Sequence, residues 1–404
     1  MGSSGTTALV LDAGGARSAY QVGALRVLLP ELEARGQQPR LLVGTSAGAL
    51  LGAGLASTAH LDAEQQAERL TGLLDRATKS QVMRPLWRQV PEVVLRYASE
   101  TLGLDGFRLR GLFGTAPLAE TLTREIDWGR MHRNLEDGLV SAVAVTTTAI
   151  RTGEVVLFTE TAGPDAVDLP RPPDEHHRRF VSTRLDVEHL MASAAIPALF
   201  PSVQIREPAD AAGWYVDGAT RRRFPLAPAL ELGAERVAVI GTGRLEPLGP
   251  DATQDSVPVD LGDAAATLLG SVMDEPLRHD LHRIASRNAE VRDPDLAPAL
   301  AAHREARGKR PHREVPYVGI APHAGDDLAD LALEVYRSNH GSLRRTLRDP
   351  DLQIMHRLLG SDSPLQGELL SYLLFDRDFF DGASDMGRRD AERWMREHPD
   401  LWTV

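Results

Sequence analysis

The sequence predicts an α/β layered fold built on a largely parallel sheet. Three observations carry this expectation. Short apolar runs recur at residues 7–11, 41–43, 139–150 and 237–240, and segments of helical spacing alternate with them. Several of the runs are apolar at successive positions, as strands covered on both faces require. Two of them also end in glycine-containing turns that lead into helical patterns, the strand–turn–helix unit of such sheets.

Along the chain, TALVL at residues 7–11 is the first strand and Asp12 to Ser18 the turn after it. The helix that follows places Val22, Leu25, Leu28, Leu29 and Leu32 on one side, and Pro30 predicts a kink or restart within it. Residues 41–43 form a second strand, running into Gly44-Thr45-Ser46-Ala47-Gly48 and a small-residue helix to about Ser57. Residues 61–104 are helical and amphipathic, with Trp87, Val90, Val93, Val94 and Tyr97 on the apolar side. The β-branched run 139–150 is the strongest strand signal and predicts pairing with 155–158 across Thr152-Gly153.

Residues 160–178, rich in Pro, Asp and His, read as a loop, and 214–216 as a strand ending at Asp217-Gly218. A helix at 228–232, a strand at 237–240, a loop at 246–260, a helix over 262–288, a strand at 317–320 and C-terminal helices complete the pattern. The basic stretch 303–313 reads as a solvated coil. The expected division is a catalytic core over 1–245 and a mainly helical extension, 246–404, packed on it. Segments 82–104 and 160–178 are either lid elements or an ordinary helix and loop on the sheet.

Composition narrows the function. Apolar residues make up 42% and charged residues 25% of the 404, the balance of an ordinary globular protein. A formal charge of -12 argues against nucleic acid as a partner, because phosphate-backbone affinity comes from clustered Lys and Arg. The same charge disfavours constitutive docking on an anionic membrane and leaves room for transient contact. With no cysteine, disulfides, zinc–thiolate sites and thiol nucleophiles are excluded, which suits a reducing, cytoplasmic setting. No signal peptide and no apolar stretch approaching the roughly 20 residues of a membrane span is expected. Gly2 and Thr6 match the spacing of a myristoylation signal, but the pattern is short and its residues common, and a flexible leader is the better explanation.

Three segments carry chemistry. Ser46 sits in Gly-x-Ser-x-Gly between a strand and a helix, the context of a nucleophile elbow, where flanking glycines allow the sharp turn. Alone, the pattern also fits a small-residue turn. The turn containing Gly14, Gly15, Ala16 and Arg17 presents backbone N–H groups at a helix N-terminus, suited to an oxyanion or to a phosphate. It lacks the ending of a P-loop and the glycine spacing of a dinucleotide fingerprint. Asp217 lies at a strand end on a glycine turn, where a carboxylate base and a surface Asp-Gly turn look alike. Together the three supply a nucleophile, oxyanion donors and a base at strand carboxyl ends, where open α/β sheets assemble their sites.

In this order, AGGARS, GTSAG and DGA resemble the glycine loop, serine elbow and aspartate motif of the patatin-like phospholipases. ASAAIPALFP at 192–201 and PLAPALEL at 225–232 are similar to the stretches flanking that family's aspartate, so the resemblance spans about residues 7–243. It implies a three-layer α/β/α fold and an acyl hydrolase of lipid esters without metal or cofactor. Ser46 would be the nucleophile and Asp217 its base. Gly14, Gly15 and Ala16 would be backbone oxyanion donors, with Arg17 helping to hold the loop. Ala13 and Ser18 depart from the family's glycines and would be strained if either position required φ > 0. Arg221 to Arg223 are more basic than the family's usual stretch and either meet an anionic group or are simply solvated.

A Ser–Asp pair has no histidine relay, so burial must raise the aspartate's proton affinity. His189 and His323 are the histidines best placed in sequence to make a conventional triad instead. An acyltransferase using the same Ser46 acyl-enzyme and a catalytically degenerate binding protein are the alternative readings.

Overall fold

The computed structural model describes residues 5–77, 79–82, 111, 113–163, 167–170, 178–221, 226–244, 267, 271, 275–308, 311–323, 327–340 and 366–404. Its centre is a nine-stranded sheet among the described residues. The strands are β1 (Thr7–Leu11), β2 (Leu41–Thr45), β3 (Ala142–Ala149), β4 (Val155–Thr161), β5 (Arg178–Ser182), β6 (Val203–Ile205), β7 (Gly213–Asp217), β8 (Arg236–Ile240) and β9 (Tyr317–Ile320). The main path runs β5-β4-β3-β2-β1-β8-β9. From β3 through β9 every neighbouring pair on this path is parallel. β4 is antiparallel to β3, as expected of a hairpin across Gly153, whose φ of 67° only glycine adopts without strain.

The strands are apolar on both faces because both are covered. Leu9, Leu11 and Leu42 face one core, and Ala8, Val10, Leu41 and Val43 the other, the two-residue alternation of a pleated strand. The first core is closed by α1 (Ser18–Ala34), α2 (Ala47–Thr58), α3 (Ala63–Arg76), α4 (Lys79–Val82), α5 (Ala116–Glu125), α6 (Trp128–Glu136) and α7 (Val187–Ser193). On the second lie α8 (Ala227–Glu231) and α9 (Glu275–Arg292), through Ala229, Leu277, Leu281 and Ile284. The result is the three-layer α/β/α arrangement.

After α10 (Ala297–Glu305), the C-terminal region returns to the first core through α11 (Leu328–His340), α12 (Gln366–Leu373) and α13 (Arg377–Glu397). It also supplies β9 to the sheet. α1 lies against α13, where Tyr20 donates to Asp390 Oδ2 at 2.8 Å, so α1 is apolar over most of its circumference. That packing also carries the helix unbroken through Pro30, which removes only one backbone hydrogen bond.

Several expectations change. The coil expected from 303 begins later, because α10 extends to Glu305. The loop expected at 160 starts after Thr161, where β4 ends, and β5 opens at Arg178. The C-terminal part of the 262–288 helix is α9, which runs on to Arg292. The amphipathic segment with Trp87, Val90, Val93, Val94 and Tyr97, much of the 160–178 lid candidate, the 246–260 loop, and Arg222 and Arg223 lie outside the described residues. Among the described residues, no helix is long and apolar enough to cross a membrane.

Candidate active site

The site forms where three strand ends meet. Ser46 follows β2 and caps α2 with φ 54° and ψ -127°, a backbone conformation that side-chain-bearing residues rarely adopt. The sharp turn requires both neighbouring glycines. A Cβ on Gly44 would stand 2.4 Å from Ala49 Cα, and one on Gly48 would stand 2.3 Å from Leu11 O, so α2 presses directly on the end of β1. The strained serine is held by a residue the motifs did not single out. Ser46 N–H donates to Ser193 Oγ at 2.8 Å, and the Ser193 hydroxyl donates to Thr146 O at 2.7 Å.

Ser193 closes α7 and is fully buried. Ser193→Ala is therefore expected to leave the Ser46 N–H without its acceptor and destabilise the protein by about 1–3 kcal/mol. Chemical denaturation measures that loss. A melting curve identical to the parent's would show that the elbow does not depend on this bond.

Asp217 reaches the same place from the opposite direction. β3 has two edges, and β4 occupies one of them from Ala142 to Thr148. β2 occupies the other only as far as Thr45 opposite Thr146. β7, antiparallel to β3, then takes over that free edge, with Asp217 opposite Thr147. The carboxyl ends of β2 and β7 thus meet head to head on adjacent rungs of one strand. The approach is close: a Cβ on Gly218 would lie 2.3 Å from Thr146 O.

Asp217 is fully buried, and its Oδ1 accepts from Ala219 N–H at 2.8 Å while its own N–H donates to Ala195 O at 2.9 Å. The surface-turn explanation of Asp217-Gly218 does not survive that burial. The segment before the aspartate is also built into the site, since Ala194, Ile196 and Phe200 line the cavity beside Ser46.

The glycine loop lies beside Ser46, and Gly15 and Ser18 line the same cavity. Asp12 Oδ1 accepts from Ala13 N–H at 2.7 Å, Thr242 donates to Ala13 O at 2.6 Å, and Gln21 donates to Asp12 O at 3.0 Å. Residues Gly15–Arg17 form one 3-10 turn, closed by Arg17 N–H donating to Gly14 O at 3.0 Å. The N–H groups of Gly15 and Ala16 precede that first bond, so the turn itself does not use them. Arg17 differs: its N–H is spent within the turn, and its buried side chain points to α12. Neither Ala13 nor Ser18 has a positive φ, and Ser18 sits at -60° as an ordinary helical residue. The strain expected at those departures is absent, because Gly15 is the left-handed residue of the loop, at φ 52°.

An apolar cavity of about 140 Å³ opens beside Ser46, between α2, α3, α5 and α12. Leu50, Leu74, Leu118, Leu122 and Leu373 are among its walls, and among the described residues Glu125 is its charged lining residue. Among the described residues, no group of three or more His, Asp or Glu could hold a metal ion.

The histidines lie elsewhere in role. His189 is buried in the capping box of α7, where its Nδ1 lies 2.8 Å from Asp186 Oδ1 and its ring packs edge-on against Phe158. Burial opposes ionisation of Asp186, yet the hydrogen bonds from His189 outweigh it and hold that carboxyl below the usual carboxylate range. His323 is exposed beyond β9. Arg221 is also exposed, with its guanidinium over the β3–β4 turn at Gly153.

The fold and these junctions define an α/β protein with an elbow-borne serine at the carboxyl edge of a parallel sheet. The model of the patatin-like phospholipases matches residues 9–230. That is more than half of the chain, and the chain belongs to this family, whose general activity is lipid acyl hydrolysis. No curated protein is similar enough to match it. Among solved structures, VipD from Legionella pneumophila is similar with a TM-score of 0.37 at 12% identity, covering 98% of this chain and 67% of its own.

Proposed function

We propose that the chain is a serine acyl hydrolase of lipid esters that works through Ser46 and Asp217. The observation that carries this reading is the meeting of β2 and β7 on one edge of β3, which sets Thr45, the residue before Ser46, and Asp217 on adjacent rungs, with Gly15 of the glycine loop lining the same cavity as Ser46. Ser46 Oγ attacks the ester carbonyl carbon while its proton passes to the Asp217 carboxylate, and the carbonyl oxygen takes the negative charge. Loop N–H groups, those of Gly14, Gly15 and Ala16, stabilise that oxygen together with the positive end of α2, while Arg17 holds the loop. Collapse breaks the bond to the alcohol, which leaves with the proton from Asp217. Water then attacks the acyl-enzyme, Asp217 accepts its proton, and the second collapse returns it to Ser46 and frees the carboxylic acid.

The apolar walls beside Ser46 favour an acyl chain over a polar group at that position. A panel of phospholipids, lysolipids, short esters and acyl thioesters, with products read by mass spectrometry, tests the assignment. Free fatty acid released from the lipid esters is the expected product. Acyl groups appearing only on an added alcohol or amine would make the protein a transferase. A parent protein whose Ser46 fails to react with a fluorophosphonate would make it a binding protein.

A further inference from the structure

The glycine loop is braced by a helix some 350 positions away in sequence. Arg17 is buried, and its Nε donates to Ser371 Oγ at 2.6 Å, its Nη1 to Tyr372 Oη at 3.2 Å, and its Nη2 to the Glu368 carboxylate. The guanidinium carbon also lies 4.0 Å from the centre of the Tyr372 ring. Ser371 is itself fixed, donating to Glu368 O at 2.6 Å. The same helix meets the loop a second time through its backbone. Tyr372 O lies 2.4 Å from where a Cβ on Gly15 would stand, so this carbonyl fills the space that the left-handed glycine leaves. Tyr372 and Leu373 also line the cavity that opens on Ser46.

A planar, five-donor cation enclosed by a carboxylate, two hydroxyls and a ring has its orientation fixed on every side. It rides on the residue that closes the 3-10 turn, so turning Arg17 would turn the N–H groups of Gly15 and Ala16 with it. We infer that α12 is part of the active site, with Glu368, Ser371 and Tyr372 as positioning residues that aim the glycine loop through Arg17 and Gly15. The inference rests on the reading of that loop as an oxyanion hole.

Such residues act on the transition state and not on substrate affinity. In the 404-residue chain, hydrolysis of a short chromogenic ester is measured for the parent, Ser46→Ala, Glu368→Ala, Glu368→Gln and Tyr372→Phe. Glu368→Ala is expected to lower kcat about 10- to 100-fold, as small misplacements at active sites do, with KM within about twofold. The near-isosteric Glu368→Gln and Tyr372→Phe should fall between it and the parent, and fluorophosphonate labelling of Ser46 should slow in parallel with kcat. If all three α12 variants keep the parental kcat, or lose KM and kcat together, the brace is only a wall of the cavity and the inference fails. An active Ser46→Ala would instead overturn the assignment of Ser46 as the nucleophile that the inference rests on, so the two failures are told apart.

Discussion

Ser46→Ala is expected to lower the rate of ester hydrolysis by about 10⁴- to 10⁶-fold while leaving the protein folded. Removing a catalytic serine costs this much in other serine hydrolases, because no neighbouring group can form the acyl-enzyme. The change is small structurally. The Ser46 N–H keeps Ser193 as its acceptor, since that bond is made by the backbone. Gly44 and Gly48 still permit the turn. Activity lost with an unchanged denaturation curve is therefore the expected pattern. Hydrolysis persisting above one percent of the parent's would move the nucleophile elsewhere.

Asp217→Asn is expected to lower kcat by about 10³- to 10⁴-fold, the range of a lost general base that also serves as general acid. The asparagine oxygen can still accept from Ala219 N–H, so the geometry of the 3-10 turn after β7 is kept. What disappears is a group able to take the serine proton and return it to the leaving alcohol. The parallel variant is His189→Gln, which should keep substantial activity, because His189 serves the N-terminus of α7. Loss of activity in His189→Gln with retention in Asp217→Asn would replace the Ser–Asp pair by a histidine relay.

The parallel centre of the sheet was legible because its strands are short, β-branched or leucine-rich, and apolar on both faces. Ser46 was legible for a local reason: glycine on both sides of a serine between a strand and a helix describes a backbone conformation as well as a composition. Asp217 was ambiguous because Asp-Gly has the same local chemistry in a solvent turn and at a buried strand end. Only the pairing of β7 with β3, a contact between distant segments, decides between them.

β5 and β6 are not legible locally because RRFVS and VQI carry polar or charged residues at partly exposed positions of peripheral strands. Ala13 and Ser18 carry no backbone strain, since the left-handed position of the loop falls on Gly15. Glu368 and Tyr372 have no local signature, and Ser193 is marked only by lying in the 192–201 stretch. Their roles arise from where α7 and α12 come to rest, and a hydroxyl or carboxylate on a helix looks the same in sequence wherever it points.

The head-to-head arrangement on β3 has a bearing on how such a protein can diversify. Because Thr45, the residue before Ser46, and Asp217 are registered against neighbouring residues of one strand, the spacing of the two strand ends is measured by that strand and not by the chain running between them. Segments inserted, deleted or rewritten between β2 and β7 leave the ruler untouched so long as β3 keeps both partners. The cavity walls drawn from α3 and α5 belong to that freely variable stretch. Chemistry and choice of acyl group are thereby written on separable parts of the chain, and new substrate preferences can arise by changing the second without disturbing the first.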